Sequence, residues 1–217
     1  HVQLVPAVAS KYPPGHALLL AVGAMLGWSA LMPLLLTAVT AALLFVLAMR
    51  VANPWVALFA WGAWVFAPTV LRYQPSYLSE VTTTTLVLGS WLSLLRWRAG
   101  RQTGWLLLLA LLTGWGAITR PLTMLVFTLP IAVVVARDIR SERRWRDLGL
   151  AIAVGVGVLA LLPVWSQKTT GDWRVTPVEK YRRDYLPFDK LGYAADTTPP
   201  RRRAAMSPVL TETYDFF

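Results

Sequence analysis

Few side chains in this sequence can do chemistry, and they punctuate a largely apolar chain. Glu80 is the sole acid between residue 1 and Asp138. It stands in Tyr77-Leu78-Ser79-Glu80-Val81, ahead of Thr82-Thr83-Thr84-Thr85, so Ser79-Glu80 reads as a helix N-terminus where a carboxylate pairs with the helix dipole. An isolated carboxylate facing a polar cavity at membrane depth can also act as a base, orient an acceptor or hold a divalent metal. Arg120 lies between two apolar runs and directly before Pro121. A guanidinium there needs an anion, a carbonyl fringe or water, and a lipid phosphate is a natural partner through bidentate hydrogen bonds. Lys11-Tyr12-Pro13-Pro14-Gly15-His16 holds a cation, a phenol and an imidazole just before an apolar helix, with two prolines fixing the turn. Its simpler reading is a proline-capped helix start with a snorkelling lysine. Lys11, Arg72 and Arg120 together form a candidate cationic site for a phosphorylated lipid, with surface headgroup contacts as the simpler role for Arg72. Tyr12, His16, Tyr77 and Ser79 are the candidate substrate-pocket residues.

The elements that must position these residues follow from composition. The chain has 217 residues, 56% of them hydrophobic and only 15% charged, and its mean hydropathy is +0.50. Soluble domains carry roughly a quarter charged residues. No Asp, Glu, Lys or Arg occurs over 17–49, 51–71, 81–95, 102–119, 121–136 or 148–167. A membrane-crossing helix needs about 20 apolar residues. The pattern predicts an all-α, polytopic membrane bundle of six to seven transmembrane or re-entrant helices over residues 1–166. The helices are expected at 16–28, 31–49, 55–71, 79–97, 104–119, 121–136 and 148–166. The pair 104–119 and 121–136, meeting at Pro121, is short enough to form a tilted pair or a re-entrant hairpin, and 16–28 suits a half-helix at the interface. Gly155-Val156-Gly157 has the spacing of a close helix contact. Residues 167–217 change character, with nine Lys/Arg, seven Asp/Glu and several turn-formers, and are expected to form an extracytoplasmic loop region. The chain starts at His1 without a Met and ends in Phe216-Phe217, so it reads as a piece of a longer protein, truncated at both ends.

The net charge of +10 does not point to nucleic acid, because twelve of the 21 Lys/Arg lie between or beside apolar spans in 1–166. Grouping alternate connections collects nine arginines on one side (Arg50; Arg96, Arg98 and Arg101; Arg137, Arg140, Arg143, Arg144 and Arg146) against Arg72 and Arg120 on the other. The retention of basic loops on the cytoplasmic side puts Lys11 to His16, Tyr73 to Glu80, Arg120 and the tail on the outer face of a multi-pass cell membrane protein. The absence of cysteine excludes a thiol nucleophile, a disulfide framework and a Cys-ligated metal.

Taken in order, Lys11 to His16, Tyr77 to Glu80 and Gly114-Trp115-Gly116-Ala117-Ile118-Thr119-Arg120-Pro121 resemble polyprenol-phosphate-sugar-dependent membrane glycosyltransferases. The resemblance is to the C-fold superfamily, of the dolichyl-phosphate-mannose protein mannosyltransferase (family 39) and bacterial aminoarabinose transferase type. The tail is similar too, in Thr170-Gly171-Asp172-Trp173, Pro177, Tyr181, Tyr185-Leu186-Pro187 and Leu191-Gly192-Tyr193. The resemblance implies an inverting enzyme that takes a sugar from a polyprenyl-phosphate carrier on the extracytoplasmic face, in bacteria the periplasmic side of the inner membrane, and passes it to a protein, lipid or glycan acceptor. It implies that Lys11 contacts the donor phosphate, that Arg120 is a phosphate ligand, and that Glu80 is the secondary acid, assisting the acceptor or a divalent metal cation. No other cofactor is required. The family's principal acid lies upstream of the paired prolines, and none of the ten residues before Lys11 is acidic, so the general base is expected outside this stretch. A transporter or flippase for a lipid-linked or anionic substrate, and a non-catalytic assembly subunit, are the alternative classes.

Overall fold

The computed structural model describes residues 2–4, 7–9, 12–73 and 77–185. The chain forms two compact units, one of Pro13–Leu162 and the other of His1–Tyr12 with Pro163–Phe217. Among the described residues, apart from two three-residue strands, every regular element is helical: α1 Pro14–Met25, α2 Leu31–Val51, α3 Pro54–Val65, α4 Pro68–Tyr73, α5 Ser79–Gly100, α6 Thr103–Ala117, α7 Pro121–Glu142, α8 Trp145–Leu159, α9 Leu161–Thr170 and α10 Pro177–Tyr185. Proline supplies the first residue of α1, α3, α4, α7 and α10, where its missing N–H is no loss and its fixed φ suits a helix start. Asn53 caps α3, its side-chain oxygen accepting from the Val56 N–H at 3.0 Å.

Three segments are long and apolar enough to cross a membrane: Leu31–Val51, Pro121–Glu142 and the run Trp145–Thr170 that holds α8 and α9. The apolar helices Pro14–Met25, Pro54–Val65 and Thr103–Ala117 are shorter than a full crossing. The expected span 55–71 is broken, since α3 ends at Val65 and α4 begins at Pro68. Proline cannot donate to the preceding turn and disfavours helical geometry just before it. In the opposite sense, α5 and α7 run past the expected ends at 97 and 136, to Gly100 and Glu142.

Within the Pro13–Leu162 unit, α5 is the central helix, packed against α2, α6 and α7. It has 22 residues yet is not among the segments apolar enough to cross alone, because it carries Thr82 to Thr85, Ser90 and Ser93. Its hydroxyls return to the helix itself: Thr83, Thr84, Thr85, Ser90 and Ser93 each donate to the carbonyl four residues back, at 2.7–2.9 Å. Thr85 also meets Thr40 of α2 at 2.6 Å, fully buried. Leu43, further along α2, lies by Gly89, further along α5, so the two helices run the same way. The pairings of α7 with α5 described below make it a third in that direction, and α6 and α8 return.

The core is Leu94 and Trp97 of α5, Leu106 and Leu109 of α6, Ile131, Val135 and Ile139 of α7, and Ala151 of α8. Helices α6 and α8 approach closely at Gly114, where an added Cβ would stand 3.2 Å from the Val158 Cβ and 3.4 Å from the Gly155 carbonyl. Gly155 and Gly157 have open space where a Cβ would go, so the predicted close contact is made by Gly114 and not by the Gly155-Val156-Gly157 spacing.

One end of this unit is a polar knot. Asp138 accepts from Arg98 at 3.0 Å and Arg101 at 2.9 Å, and Arg101 also pairs with Glu142 at 2.6 Å. Arg144 donates to the Arg101 carbonyl and pairs with Asp147, both at 2.6 Å, and Thr103 donates to Asp147 at 3.1 Å. The Arg101 guanidinium lies 4.8 Å from the Trp97 ring centre. Because α2 is parallel to α5, Arg50 in its last turn points toward this same end, so the nine arginines grouped by sequence collect at one end.

In the other unit, Val2–Leu4 (β1) pairs antiparallel with Ala7–Ala9 (β2), with Gln3 opposite Val8, and β1 lies beside α10. Helix α10 forms inside the stretch expected to be loop. Thr176 caps it through the Glu179 N–H at 3.2 Å, and Glu179 pairs with Arg182 and Arg183 one turn on, at 2.8 and 2.9 Å. The tail motifs at Tyr185-Leu186-Pro187 and Leu191-Gly192-Tyr193 fall mostly outside the described residues.

Candidate functional site

At the end of α5 opposite the polar knot, three separate stretches of sequence meet. The first residues of α1 lie against the end of α6: the Gly15 N–H donates to the Ile118 carbonyl at 2.9 Å, and the Trp115 indole N–H donates to the Gly15 carbonyl at 3.0 Å. A Cβ on Gly15 would stand 2.9 Å from the Ile118 carbonyl oxygen and closer still to the Thr119 hydroxyl, so only glycine fits. One residue on, His16 reaches α5. Its Nε2 lies 2.8 Å from the Tyr77 carbonyl and its Nδ1 2.8 Å from the Thr82 hydroxyl. A carbonyl only accepts, so Nε2 carries the proton, and in the neutral ring Nδ1 accepts from Thr82. The Tyr77 hydroxyl in turn meets Ser29, at 3.1 Å.

Arg120 precedes α7 and turns toward the start of α5. Its Nε donates to the Ser79 hydroxyl at 2.9 Å, and its Nη2 to Glu80 Oε1 at 2.5 Å. The two side chains are 40% and 43% exposed, so the pair is neither sealed nor free in solvent. Exposed pairs contribute about 0.2–1 kcal/mol, so a competing anion of higher charge can replace the carboxylate on the guanidinium. The other oxygen, Glu80 Oε2, is shielded from solvent and has no hydrogen-bond partner among the described residues. Glu80 lines a pocket of about 200 Å³ between α5 and α7. Glu80, Thr83, Thr84, Arg120 and Thr123 supply the polar part of its lining, and Val87, Leu88 and Phe127 the apolar part. Such a pocket suits an amphiphile that carries an anion and a hydroxyl next to a hydrocarbon chain.

The structure thus brings together His16, Tyr77, Ser79, Glu80 and Arg120. Arg72 is exposed on α4, which packs on α3, and it does not line this pocket. Tyr12 is 64% exposed and belongs to the other unit, and Lys11 lies outside the described residues. His16, Tyr77 and Ser79 spend polar atoms on holding α1, α5 and Arg120 in register, and none of the three lines the pocket, so they position it from outside. Among the described residues no three His, Cys, Asp or Glu side chains cluster as metal ligands, so a cation at Glu80 would draw its other ligands from elsewhere. Gly15, Thr82, Trp115 and Thr123 also belong to this end of the molecule. Of these, Gly15 and Trp115 stand inside the quoted motifs and Thr82 opens the threonine run after Glu80, whereas Thr123 carries no sequence signal. Searches of protein-family profiles, curated proteins and solved structures found no match for this chain.

Proposed function

We propose that this chain is the membrane-embedded part of an inverting glycosyltransferase that moves a sugar from a polyprenyl-phosphate donor to a protein, lipid or glycan acceptor. On this reading it is a multi-pass protein of the cell membrane, with six to seven helices crossing or entering the bilayer and the site on the extracytoplasmic face. The observation that carries the reading is the convergence of Gly15-His16, Tyr77 to Glu80 and Trp115 to Arg120 on one end of α5. These are the three stretches on which the family resemblance rests, and they are separated by tens of residues in sequence.

Attack on the anomeric carbon expels a polyprenyl phosphate, so a fixed cation is needed where negative charge accumulates and a carboxylate where the acceptor hydroxyl loses its proton. Donor phosphate takes the place of Glu80 on Arg120. The exchange releases the Glu80 carboxylate, next to the pocket hydroxyls, to orient the acceptor or a divalent cation, while the principal base comes from outside this stretch. Sugar transfer by the intact protein in membranes, supplied with a lipid-phosphate sugar donor, tests the assignment. Arg120→Ala is expected to lower turnover by about 10²–10³-fold and Glu80→Gln by about 10²-fold or more. Lys11→Ala in the same assay tests the donor contact implied by the resemblance. Turnover unchanged by Arg120→Ala would remove Arg120 from the site, and a wild-type rate for Glu80→Gln would return Glu80 to a helix cap.

A further inference from the structure

Helices α7 and α8 leave their tight turn at Arg143 and Arg144 and both pack on α6, but between them runs an apolar groove of about 380 Å³. Ile131 and Val135 of α7 and Ile152 and Leu159 of α8 form its walls, and Leu109 and Ala110 of α6 its floor. Its size is that of a small-molecule site, roughly 300–1,000 Å³. Thr113 and Thr128 are the only hydroxyl side chains in the lining, and both donate to carbonyls four residues back in their own helices, at 2.9 and 2.6 Å. The lining hydroxyls therefore offer water no free donor.

The charges above its closed end are unbalanced. Eight arginines lie there, Arg96, Arg98, Arg101, Arg137, Arg140, Arg143, Arg144 and Arg146, against three acids. The three acids are already taken: Asp138 by Arg98 and Arg101, Glu142 by Arg101, and Asp147 by Arg144. Arg140 and Arg143 are exposed, and neither pairs with a carboxylate among the described residues. Arg140 lies two turns beyond the lining residue Ala132 on α7, turned about 80° from it around the helix, and Arg143 stands in the turn that closes the groove. Trp145, 58% exposed, precedes the lining residue Leu148 by three positions on α8. A cation pair and an indole at the end of a dry apolar slot complement an amphiphile with an anionic head, an ester level at the depth of the indole and a hydrocarbon tail.

We infer that one anionic phospholipid binds lengthwise between α7 and α8, with an acyl chain in the groove and its phosphate at Arg140 and Arg143 beside Trp145. The inference rests on the membrane reading of the chain and not on the glycosyltransferase reading, and it concerns the end of the molecule opposite the Glu80–Arg120 pocket. The bound lipid fills the space that α7 and α8 leave open, and it ties the basic end to the anionic leaflet.

The test uses the intact protein in nanodiscs of equimolar phosphatidylglycerol and phosphatidylcholine, extracted into mild detergent and weighed with retained lipid by native mass spectrometry. Phosphatidylglycerol is expected to be retained over phosphatidylcholine by about tenfold or more, and Arg140→Gln with Arg143→Gln to remove that preference. Ala132→Phe, which fills the groove and leaves the arginines in place, is expected to abolish retention of either lipid while helix content by circular dichroism stays that of the wild type. Equal retention of the two lipids would overturn the inference. So would retention that survives Ala132→Phe, stabilisation by inorganic phosphate equal to that by the lipid, or a dimer that Ala132→Phe dissociates. No sugar donor enters the measurement, so its outcome is separate from that of the transfer assay.

Discussion

Gly15 shows how a single missing side chain sets the geometry of the candidate site. Its N–H and carbonyl are both engaged by the end of α6, and the space where a Cβ would stand is occupied by the Ile118 carbonyl and the Thr119 hydroxyl. Gly15→Val is therefore expected to push α1 off α6 and to cost about 1–3 kcal/mol, read as a lowered Tm of the purified protein in detergent. His16 moves with α1, so the same variant should reduce sugar transfer if the proposed activity holds. At this scale the sequence was partly legible. Ser79, Glu80 and Arg120 stand out by type in an apolar context, but their pairing spans about 40 positions and no local rule predicts it. The four-threonine run shows the difficulty. Thr82 faces His16 and Thr85 faces Thr40, whereas Thr83 and Thr84 line the pocket. Successive helical residues turn by about 100°, so these roles depend on a helix phase that composition does not reveal.

Among the elements, the ends of α5, α6, α7 and α8 are held by charge, while their middles are held by packing. Asp138, with a side chain 11% exposed, is shared by Arg98 and Arg101. Asp138→Ala leaves two partly exposed guanidinium groups without their common acceptor. It is expected to destabilise the protein by about 1–2 kcal/mol, measured by thermal unfolding in detergent, with a smaller loss at high salt where the pairs are already screened. Helix existence was readable from the apolar windows, and most helix ends were not. Charges at 137–147 mark the end of an apolar window, yet α7 continues to Glu142, with Asp138 and Glu142 paired to cations at the end of α5. Both α5 and α7 stop on an arginine in left-handed geometry, Arg101 at φ 52° and Arg143 at φ 54°, where glycine is the usual residue. A glycine-based search for helix ends overlooks them. The break inside 55–71 was legible in principle, since Pro68 carries it.

Across the whole Pro13–Leu162 unit, the segregation of charge agrees with the alternation of basic loops along the sequence. Glu80 and Arg98 are 18 positions apart on one continuous helix, about 27 Å at 1.5 Å per residue, close to the thickness of a bilayer's hydrocarbon core. If the unit spans a membrane, single cysteines at Ser29, beside the Tyr77 hydroxyl, and at Ser141, near the polar knot, should label from opposite faces. The native chain has no cysteine, so a membrane-impermeant maleimide added to right-side-out vesicles is expected to modify Ser29→Cys and to spare Ser141→Cys until the vesicles are opened. Modification of both from one side would end the multi-pass reading. Residue-level hydropathy marked six to seven apolar windows, and three segments are long and apolar enough to cross alone; hydropathy weighs every apolar window alike and cannot know which helices are surrounded by others. Helix α5 makes the point in terms of biosynthesis. Its threonines and serines, harmless once α2, α6 and α7 enclose them, make it a weak signal for insertion when it emerges from the ribosome. If the unit spans a membrane, α2, which precedes α5 in the chain, can offer Thr40 to Thr85 as α5 inserts, and α6 and α7 complete the enclosure as they follow.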